Sequence, residues 1–494
     1  MRAFPQILAA VAASVALIAC GDATSAPAPK ITTITFGRDT ATLLLDDSLS
    51  TSVVVTNSRS EPVPNAVVSY TSSSTDVATV DANGRIRTFA TGVSTVTATV
   101  ENLHSNISVK VVPHFTQIAT GGSHACGITG TQRLYCWGSD VDGNLGVGAN
   151  TGDCTAFIGI RCSLVPIPVT GAERFVFVTA GALHTCALTS SGLAYCWGGN
   201  VYGQLGIGAV GVDVWVPTAV IGGHTFSSLS AGTMHTCGID TSGDTWCWGW
   251  DTWGQLGAGV TGADRCSFFF TNEPCSGTPL KVAGTVRFAE VMGSEKISCG
   301  RDLGGTTYCW GEGVGGTDST DCYFGQNECA RAPLLQVGGT TFKRLGMGGT
   351  HRCGQNSDGV LWCWGYGFYG VFGNGTSLTA SPDALVRAAG GKSYSQVAFG
   401  SGHICGLSGG ILECWGNNQV GQAGSTTGTE RDTPGAIGGG ISFASVTSGP
   451  NAFTTCGIST AGRAYCWGDG QLGELGSGTI LTSSADPVLV KLVR

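Results

Sequence analysis

The chain has 494 residues, of which 79 are glycine and 12% are charged, and its formal net charge is −8. Because glycine disfavours helix interiors and nucleic-acid binding needs a basic surface, these values argue against a mainly helical protein and against a nucleic-acid partner. A hydrophobic fraction of 42% also argues against disorder. The 21 cysteines are the most informative number, because an odd count leaves one outside any set of intramolecular pairs.

The N-terminal segment predicts export. The apolar run from Ile7 to Ala19 is too short to span a bilayer as a helix and is typical of a signal peptide. It ends in Leu17-Ile18-Ala19-Cys20, which resembles the bacterial lipobox, and the resemblance implies that Cys20 becomes an acylated N-terminus. The alternative is an ordinary cleaved signal that happens to end in cysteine. We expect a signal peptide over residues 1–20, a flexible tether over 21–30, and an exported protein that is lipid-anchored at the bacterial cell envelope or surface.

Residues 31–112 contain no cysteine and predict a small all-β unit. The β-branched run from Val93 to Val100 favours a strand, and Asn83-Gly84 predicts a hairpin. The stretch from Ser69 to Val100 resembles the bacterial Ig-like group 2 domain, with Tyr70 where that family usually has tryptophan. The resemblance implies a β-sandwich that acts as a spacer or an adhesive module.

From residue 113 to 494 one unit is repeated seven times. Each copy carries Trp-Gly, with the tryptophans at Trp137, Trp197, Trp248, Trp310, Trp364, Trp415 and Trp467. A period of about 50 residues is typical of propellers and solenoids. Each copy predicts three short strands, a Gly-rich loop such as Gly203-Gln-Leu-Gly206, and a fourth strand led by a proline.

Two cysteines in each copy flank a short turn, so they should face each other across a β-hairpin. Opposed residues there lie about 4.5–5.5 Å apart, within reach of a disulfide, and each staple is worth roughly 2.5–3 kcal/mol. Reduced, buried thiols are the alternative, and zinc is disfavoured because the cysteines come in separate twos. The predicted pairs are Cys126 with Cys136, Cys186 with Cys196, Cys237 with Cys247, Cys299 with Cys309, Cys353 with Cys363, Cys405 with Cys414, and Cys456 with Cys466.

Two further regularities accompany the cysteines. A small residue follows the first cysteine and an aromatic residue usually precedes the second, so we expect the aromatic ring to lie over the small residue. Five copies carry a histidine two residues before the first cysteine, and we expect it to hydrogen-bond inside its blade rather than to bind metal. These histidines are His124, His184, His235, His351 and His403.

The proline-led strands bear on how the repeats close. Seven of them follow the seven hairpins, and the last, from Pro487 to Val490, has no hairpin after it. We expect this C-terminal strand to pair beside the strand that starts at Phe115 and so to complete blade one.

The motifs His-Thr-Cys-Ala-Leu (184–188), Tyr-Cys-Trp-Gly (195–198) and Gly-Gln-Leu-Gly-x-Gly (203–208) are similar to the repeat of the regulator of chromosome condensation family. The resemblance covers residues 113–494 and implies a seven-bladed β-propeller of four-stranded blades. The predicted fold class is therefore all-β, a seven-bladed propeller preceded by a small Ig-like β-sandwich. That family includes exchange factors for small GTPases, light sensors and secreted β-lactamase inhibitors, and none of these activities is carried over to this chain.

The sequence offers little chemistry. It contains no G-x-S-x-G, H-E-x-x-H or P-loop motif. Asp140-Val-Asp142-Gly-Asn144 looks like the start of a calcium loop, but it aligns with Asn200 to Gln204 of the next copy and is better explained as a repeat loop. We therefore expect no catalytic residues, no metal and no cofactor.

Six cysteines remain, in insertions before the fourth strand of copies one, three and four. We expect Cys154 to pair with Cys162, Cys266 with Cys275, and Cys322 with Cys329, on loops that rise from one rim. Apolar residues on stapled loops favour a binding surface, although the loops could instead fold down onto the propeller. The candidate partner-binding residues are Phe157, Ile158, Phe268, Phe269, Phe270, Tyr323 and Phe324.

The preferred function is that of a non-catalytic binding or scaffold protein that engages an extracellular or envelope protein through one propeller rim. A glycan-binding (lectin-like) or adhesive surface protein is the alternative, and an extracellular enzyme or enzyme inhibitor is less favoured. Trp250 and Trp253 are the main hint of a glycan platform, and their counterparts in other copies are Gly199/Tyr202 and Tyr366/Tyr369. We expect contact with a membrane only through the lipid anchor.

Overall fold

The computed structural model describes residues 29–45, 47–89, 92–112, 114–148, 152–153, 159–268, 271–314 and 329–491. The predicted signal peptide with Cys20 and most of the tether lie outside these residues. The described residues form strands and connecting turns, with two three-residue 3-10 turns at Val337–Gly339 and Ala389–Gly391. No helix in these ranges has the length and apolarity needed to cross a membrane.

In the part of the N-terminal unit that the structure describes there are nine strands in three sheets. The strands are β1 (Ile31–Phe36), β2 (Thr40–Leu44), β3 (Ser48–Ser50), β4 (Val53–Asn57), β5 (Ser69–Ser72), β6 (Ala78–Val80), β7 (Arg85–Thr88), β8 (Gly92–Val100) and β9 (Leu103–Val112). The sheet orders are β1-β4, β2-β9-β8-β5 and β3-β7-β6. Alternate residues of β8 are buried, as expected for a strand with one face on a core.

The predicted hairpin at Asn83-Gly84 is present between β6 and β7, where Val80 pairs with Ile86. Gly84 adopts φ +76°, a conformation that favours glycine. A Cβ at Gly84 would lie 3.0 Å from the hydroxyl oxygen of Tyr70, so the turn packs closely on this ring.

Seven antiparallel sheets follow, one for each copy of the repeat, and they are called blades one to seven. Their strands are, for blade one, β10 (Phe115–Thr120), β11 (His124–Thr129), β12 (Leu134–Ser139), β13 (Gly152–Asp153) and β14 (Arg161–Pro168); for blade two, β15 (Phe175–Ala180), β16 (His184–Thr189), β17 (Ala194–Gly198) and β18 (Val214–Ala219); for blade three, β19 (Phe226–Ala231), β20 (His235–Asp240), β21 (Thr245–Trp250), β22 (Asp264–Phe268) and β23 (Thr271–Lys281); for blade four, β24 (Phe288–Gly293), β25 (Ile297–Asp302), β26 (Thr307–Glu312) and β27 (Cys329–Leu335). The others are, for blade five, β28 (Arg344–Met347), β29 (His351–Gln355), β30 (Leu361–Phe368) and β31 (Leu378–Arg387); for blade six, β32 (Gln396–Phe399), β33 (His403–Ser408), β34 (Ile411–Asn417) and β35 (Glu430–Ala436); and for blade seven, β36 (Phe443–Thr447), β37 (Thr454–Ser459), β38 (Ala464–Asp469) and β39 (Ser483–Leu489).

The predicted fold class, an all-β chain with a β-propeller after a smaller β unit, is confirmed. The first strand of every blade contacts the next blade, and β10 contacts β36 and β37 of blade seven, so the blades form a closed ring. Blades one and three gain a fifth strand, β13 and β22, from their insertions. All seven repeat tryptophans are buried.

The hairpin cysteines face each other as predicted. In each blade the two cysteines are directly paired across the second and third strands, and their Cα atoms lie 4.0 or 4.1 Å apart. Because both cysteines of a pair belong to one hairpin, each staple stabilises a single blade. Disulfides join Cys126 to Cys136, Cys186 to Cys196, Cys237 to Cys247, Cys299 to Cys309, Cys353 to Cys363, Cys405 to Cys414, and Cys456 to Cys466.

The prediction about which ring covers the small residue was wrong. Gly127 does oppose Tyr135 in the strand register, but a Cβ on Gly127 would lie 2.6 Å from the ring of Phe115, on the first strand. Phe115 in turn makes an edge contact with Tyr135 and a tilted contact with Trp137. The repeat pattern relates the second and third strands, so it gave no weight to this phenylalanine. The equivalent rings are Phe226 over Gly238, Phe288 over Gly300, Phe342 over Gly354, Tyr394 over Gly406 and Phe443 over Gly457.

The predicted ring closure was also wrong. The C-terminal strand β39 pairs with β38 of its own copy, with Tyr465 opposite Leu489, and not beside Phe115. Seven hairpins, each followed by one strand, are compatible with two arrangements: the last strand can complete its own blade or the first blade. The number of strands alone therefore could not predict how the ring closes. Blade one instead packs on blade seven, where Trp137 Nε1 donates to the Glu474 carbonyl at 2.8 Å.

The fourth strands begin before their prolines rather than at them. In blade one, Cys136 pairs with Ile167 and Gly138 with Ser163, so Pro166 lies in a bulge of the fourth strand, beyond the two residues that pair with β13. An outer strand tolerates proline because the missing N–H costs no ladder bond.

Candidate functional site

The repeat histidines lie at the contacts between neighbouring blades, which we call joints. His124 Nε2 lies 2.8 Å from Thr185 Oγ1, and His184 Nε2 lies 2.9 Å from Thr236 Oγ1, so each bond crosses to the next blade. The prediction of bonding inside the blade was therefore wrong. Complete burial lowers the pKa of His184 to about 3, which keeps the ring neutral. Equivalent bonds join His235 to Ser298 and His403 to Thr455.

The same joints use the Gly-rich loop. At the joint between blades two and three, Thr236 Oγ1 and Trp248 Nε1 both donate to the Gln204 carbonyl at 2.9 Å. The Gln204 side chain accepts the Tyr202 N–H at 2.9 Å, which fixes the loop. This loop is thus a connector between blades. In the same way, the Asn144 carbonyl accepts hydrogen bonds from Thr185 and Trp197. The Gln255 carbonyl accepts them from Ser298 and Trp310.

The calcium-like segment takes part in this repeat loop. Asp140 Oδ1 accepts the Leu145 N–H at 3.1 Å, and Asn200 Oδ1 accepts the Leu205 N–H at 3.2 Å in the next blade. Aspartate in blade one and asparagine in blade two thus supply the same acceptor oxygen to the loop. Asp140 also lies 3.8 Å from the guanidinium of Arg161.

The three insertions begin at one level of the propeller. Cys162, Cys275 and Cys329 pair with residues at the same register position of their third strands, which are Ser139, Trp250 and Glu312. Because equivalent positions of the blades face the same end of a propeller, the three loops leave from the same end. Cys266 and Cys275 form a disulfide, with their Cα atoms 6.0 Å apart. Cys162 and Cys329 are also disulfide-bonded, and their predicted partners Cys154 and Cys322 lie outside the described residues.

The candidate binding residues on these loops stay predictions. Phe268 ends β22, and its backbone pairs with Thr271. The other six, which lie outside the described residues, are Phe157, Ile158, Phe269, Phe270, Tyr323 and Phe324.

The base of the blade-three insertion is packed against the propeller. Glu273 Oε2 accepts hydrogen bonds from Trp250 Nε1 and, at 3.0 Å, from Thr252 Oγ1. Burial and the neighbouring Glu273 carboxylate raise the pKa of the Tyr202 hydroxyl. Tyr202 and Trp253 are buried, so they do not form the exposed aromatic platform that a glycan site in successive blades would need.

Blade five exposes aromatic side chains that sequence reasoning did not select as a binding surface. The hairpin of its third and fourth strands, β30 and β31, extends further than in the other blades. Tyr366 lies opposite Ala380 in it, and Phe368 lies opposite Leu378. Gly367 stands where an aspartate or asparagine caps the loop in blades one and two, and without that cap the strand continues. The missed signal was the apolar run Tyr366-Gly-Phe-Tyr369 at a position that is polar in blade one.

The exposed group lies at the same end as the stapled loops. We call this end the loop rim, defined as the end where third strands connect to fourth strands, including residues 366–378. Tyr366 is 48% and Phe368 43% exposed, and their rings stack with centroids 5.9 Å apart. Leu378 is also exposed. Because strands alternate in direction, the turns between second and third strands, such as that of Leu303, lie at the opposite end.

Comparison with known families agrees with this architecture. The model of the regulator of chromosome condensation (RCC1) repeat matches residues 115–144 and 175–204, and a second model of that repeat matches 132–188 and 191–239. The model of the bacterial Ig-like domain (group 2) matches residues 30–111. The chain thus combines a bacterial Ig-like domain with RCC1 repeats in a β-propeller.

Two curated relatives match more than half of the chain. The chain is 29% identical over 299 residues to the human E3 ubiquitin-protein ligase HERC2, covering 58% of this chain but 6% of that protein. It is 26% identical over 371 residues to the ultraviolet-B receptor UVR8 of Arabidopsis thaliana, covering 73% of this chain and 78% of the receptor.

Two solved structures share the fold at 19% identity. Human WBSCR16 gives a TM-score of 0.57 and covers 70% of this chain and 86% of its own. Yeast RCC1 (Prp20), solved with Kap60 bound, gives 0.58 and covers 72% and 83%. At this identity the likeness shows the fold alone.

Proposed function

We propose that this chain is an exported, non-catalytic binding protein that engages a protein partner through the loop rim. The observation that carries the proposal is the stacked, exposed pair Tyr366 and Phe368 at the end of the propeller where the three insertions emerge. Tyrosine and phenylalanine are common in protein interfaces, because large rings bury much area at little entropic cost. The paired strands β30 and β31 hold the two rings on a firm backbone.

The disulfides and the Ig-like domain support an extracellular setting. Eight cysteine pairs are joined in the described residues, and disulfides persist in oxidising compartments. Acylation at Cys20 would anchor the chain to the membrane, and the Ig-like unit would act as a spacer between the membrane and the propeller. Yeast RCC1 (Prp20), which shares this fold, was solved with the protein Kap60 bound to it, and this supports a protein as the class of partner.

The polar groups of the propeller support a binding role over a catalytic one. The buried Asp140 and Asp251 accept loop N–H groups. These side chains are used in the structure and do not converge on a substrate-sized site. Four buried histidines also have a structural role, because each bonds to a hydroxyl of the next blade. These histidines are His124, His184, His235 and His403.

The experiment is partner capture by residues 21–494 from an envelope extract, with quantitative mass spectrometry and a glycan array run beside it. We expect the Tyr366→Ser/Phe368→Ser variant, and separately serine at positions 268–270, to lose at least tenfold of the captured partner. Leu303→Ser is the matched control, because Leu303 is 76% exposed at the opposite end. Equal capture by the rim variants and the control would contradict the proposal, and glycan binding that the rim variants abolish would favour the lectin-like alternative.

A further inference from the structure

A cavity of about 550 Å³ lies among the first strands of blades four to seven. Its charged lining consists of three cationic side chains, Arg301, Lys343 and Arg344, and one carboxylate, Glu290. Arg301 Nε lies 3.3 Å from Glu290 Oε2, so this pair is mutually neutralised. The cavity therefore carries two uncompensated positive charges, although the chain as a whole has a net charge of −8.

Arg344 occupies a position that joins blades elsewhere in the ring. Gln117 Nε2 donates to the Val178 carbonyl, and Gln117 Oε1 accepts the Val178 N–H, both at 3.2 Å. Gln396 makes the same two bonds to Val446, at 3.1 and 3.4 Å. Each of these glutamines comes directly before the first-strand residue that pairs with the small residue of the second strand. Arg344 has the same position on the first strand of blade five.

An arginine at this position cannot do what glutamine does. A guanidinium only donates, so it cannot accept the N–H of Val397 in the next blade. Across the residues that the structure describes, the side chains of Arg344 and Lys343 make no hydrogen bond or ion pair, and both residues are exposed. Glu290, the equivalent residue of blade four, does accept the Leu345 N–H at 3.1 Å. The joint between blades five and six thus lacks the bridge that Gln117, Glu290 and Gln396 make at their joints, and it carries a charge that borders the cavity.

We propose that this inner cavity binds an acidic peptide segment. The carboxylates would pair with Lys343 and Arg344, and arginine forms bidentate, charge-assisted bonds with carboxylates. The volume is within the range of roughly 300–1,000 Å³ that ligand sites occupy. The site is independent of the loop rim. Apolar side chains of the peptide would contact Met292, Val397 and Phe399, and Ser448 would offer its hydroxyl oxygen to a backbone N–H.

The test is isothermal titration calorimetry with blocked Glu-Leu-Glu-Leu and its Gln-Leu-Gln-Leu counterpart on residues 21–494. We expect the glutamate peptide to bind at least tenfold more tightly than the glutamine peptide, with affinity that falls as salt rises. Arg344→Gln should weaken glutamate-peptide binding at least tenfold and raise the melting temperature, because glutamine restores the bridge seen at Gln117 and Gln396. Weaker peptide binding together with a higher melting temperature would show that the variant has lost a ligand group and not its fold.

Arg174→Gln is the matched control, because Arg174 is an exposed arginine of blade two outside the cavity lining. It should leave binding of the glutamate peptide unchanged. Binding by Arg344→Gln that equals the wild type, or glutamine-peptide binding as tight as glutamate-peptide binding, would overturn the proposal. Inorganic phosphate that binds as tightly as the glutamate peptide would overturn the assignment to a peptide. Rim variants such as Tyr366→Ser should still bind the peptide, so this site and the proposed rim function fail separately.

Discussion

The joints among blades one to four differ from the joint between blades five and six. In the first group a histidine reaches a hydroxyl of the next blade, as His184 does with Thr236. At the joint between five and six, His351 faces a blade whose equivalent residue is Ile404, and both ring nitrogens of this buried histidine lack a hydrogen-bond partner. Arg344 stands there at the position where Gln117 bridges blades one and two.

The difference shows where the repeat is constrained and where it is not. A residue that bonds across a joint cannot change without its partner, because a buried polar group left unpaired costs about 1–3 kcal/mol. Blade five lacks two of these partnerships, at His351 and at Arg344, and it is also the blade with the extended hairpin of Tyr366 and Phe368. In blade five, departures from the repeat thus lie beside two of the surfaces proposed for binding.

The largest expected effect comes from a tryptophan at a regular joint. Trp248→Ala removes a fully buried side chain and its bond to the Gln204 carbonyl, so we expect a loss of about 3–5 kcal/mol in the free energy of unfolding. Tyr366→Ala in blade five should cost less than about 1 kcal/mol, since its ring is half exposed. Urea unfolding measures both. Equal losses would mean that blade five is as constrained as the regular blades.

The next effect concerns the joint between blades seven and one. Glu474 is buried where regular loops have glutamine, and burial, with a smaller contribution from Asp469, raises its pKa to about 8. The folded protein then holds a proton that the unfolded chain releases near its ordinary pKa of 4.5, so stability falls as pH rises from about 4.5 to 8. Glu474→Gln should raise the melting temperature at pH 8 by several degrees and leave it nearly unchanged at pH 4.5. A gain of the same size at both pH values would contradict this.

The smallest effect repairs an irregular joint. Ile404→Thr places beside His351 the hydroxyl that Thr185 and Thr236 provide at regular joints. We expect a melting temperature equal to or slightly above the wild type, because a new hydrogen bond of about 0.5–1.5 kcal/mol offsets the lost apolar area. Ile128→Thr is the control, since Ile128 is a buried isoleucine without a histidine to satisfy, and it should be clearly destabilised. Equal destabilisation of both variants would show that the lost partner is not what limits this joint.

The fold could be predicted because the repeat period and the cysteine spacing act within single blades. Cys186 must oppose Cys196 once a short turn joins their strands, and one correct hairpin gives all seven. Contacts between blades were predicted less well. The hydroxyl partners of the histidines stand directly after the histidine position in the next copy, as Thr185 follows His184, but only the ring brings them together.

The candidate sites, too, could be predicted where they depend on contacts within one blade, and could not where they depend on contacts between blades. The register of Cys162, Cys275 and Cys329 agrees with loops that leave one end. The role of Arg344 could not be seen in the sequence, since its meaning depends on glutamines such as Gln117 bonding across a joint. A repeat pattern states which positions are equivalent, and the structure states what each position touches.

Each blade is built from one continuous stretch of chain, and none of the disulfides between described cysteines crosses from one blade to another. A whole blade can therefore be duplicated or deleted as a single segment of the gene without leaving a sheet incomplete. The joint that closes the ring keeps the bond from the repeat tryptophan to the carbonyl of the neighbouring loop, here from Trp137 to Glu474, and the chain ends could be moved to another joint by circular permutation. The number of blades in such a protein is thus set by how many wedges fill the circle, and not by a strand that locks the first blade to the last.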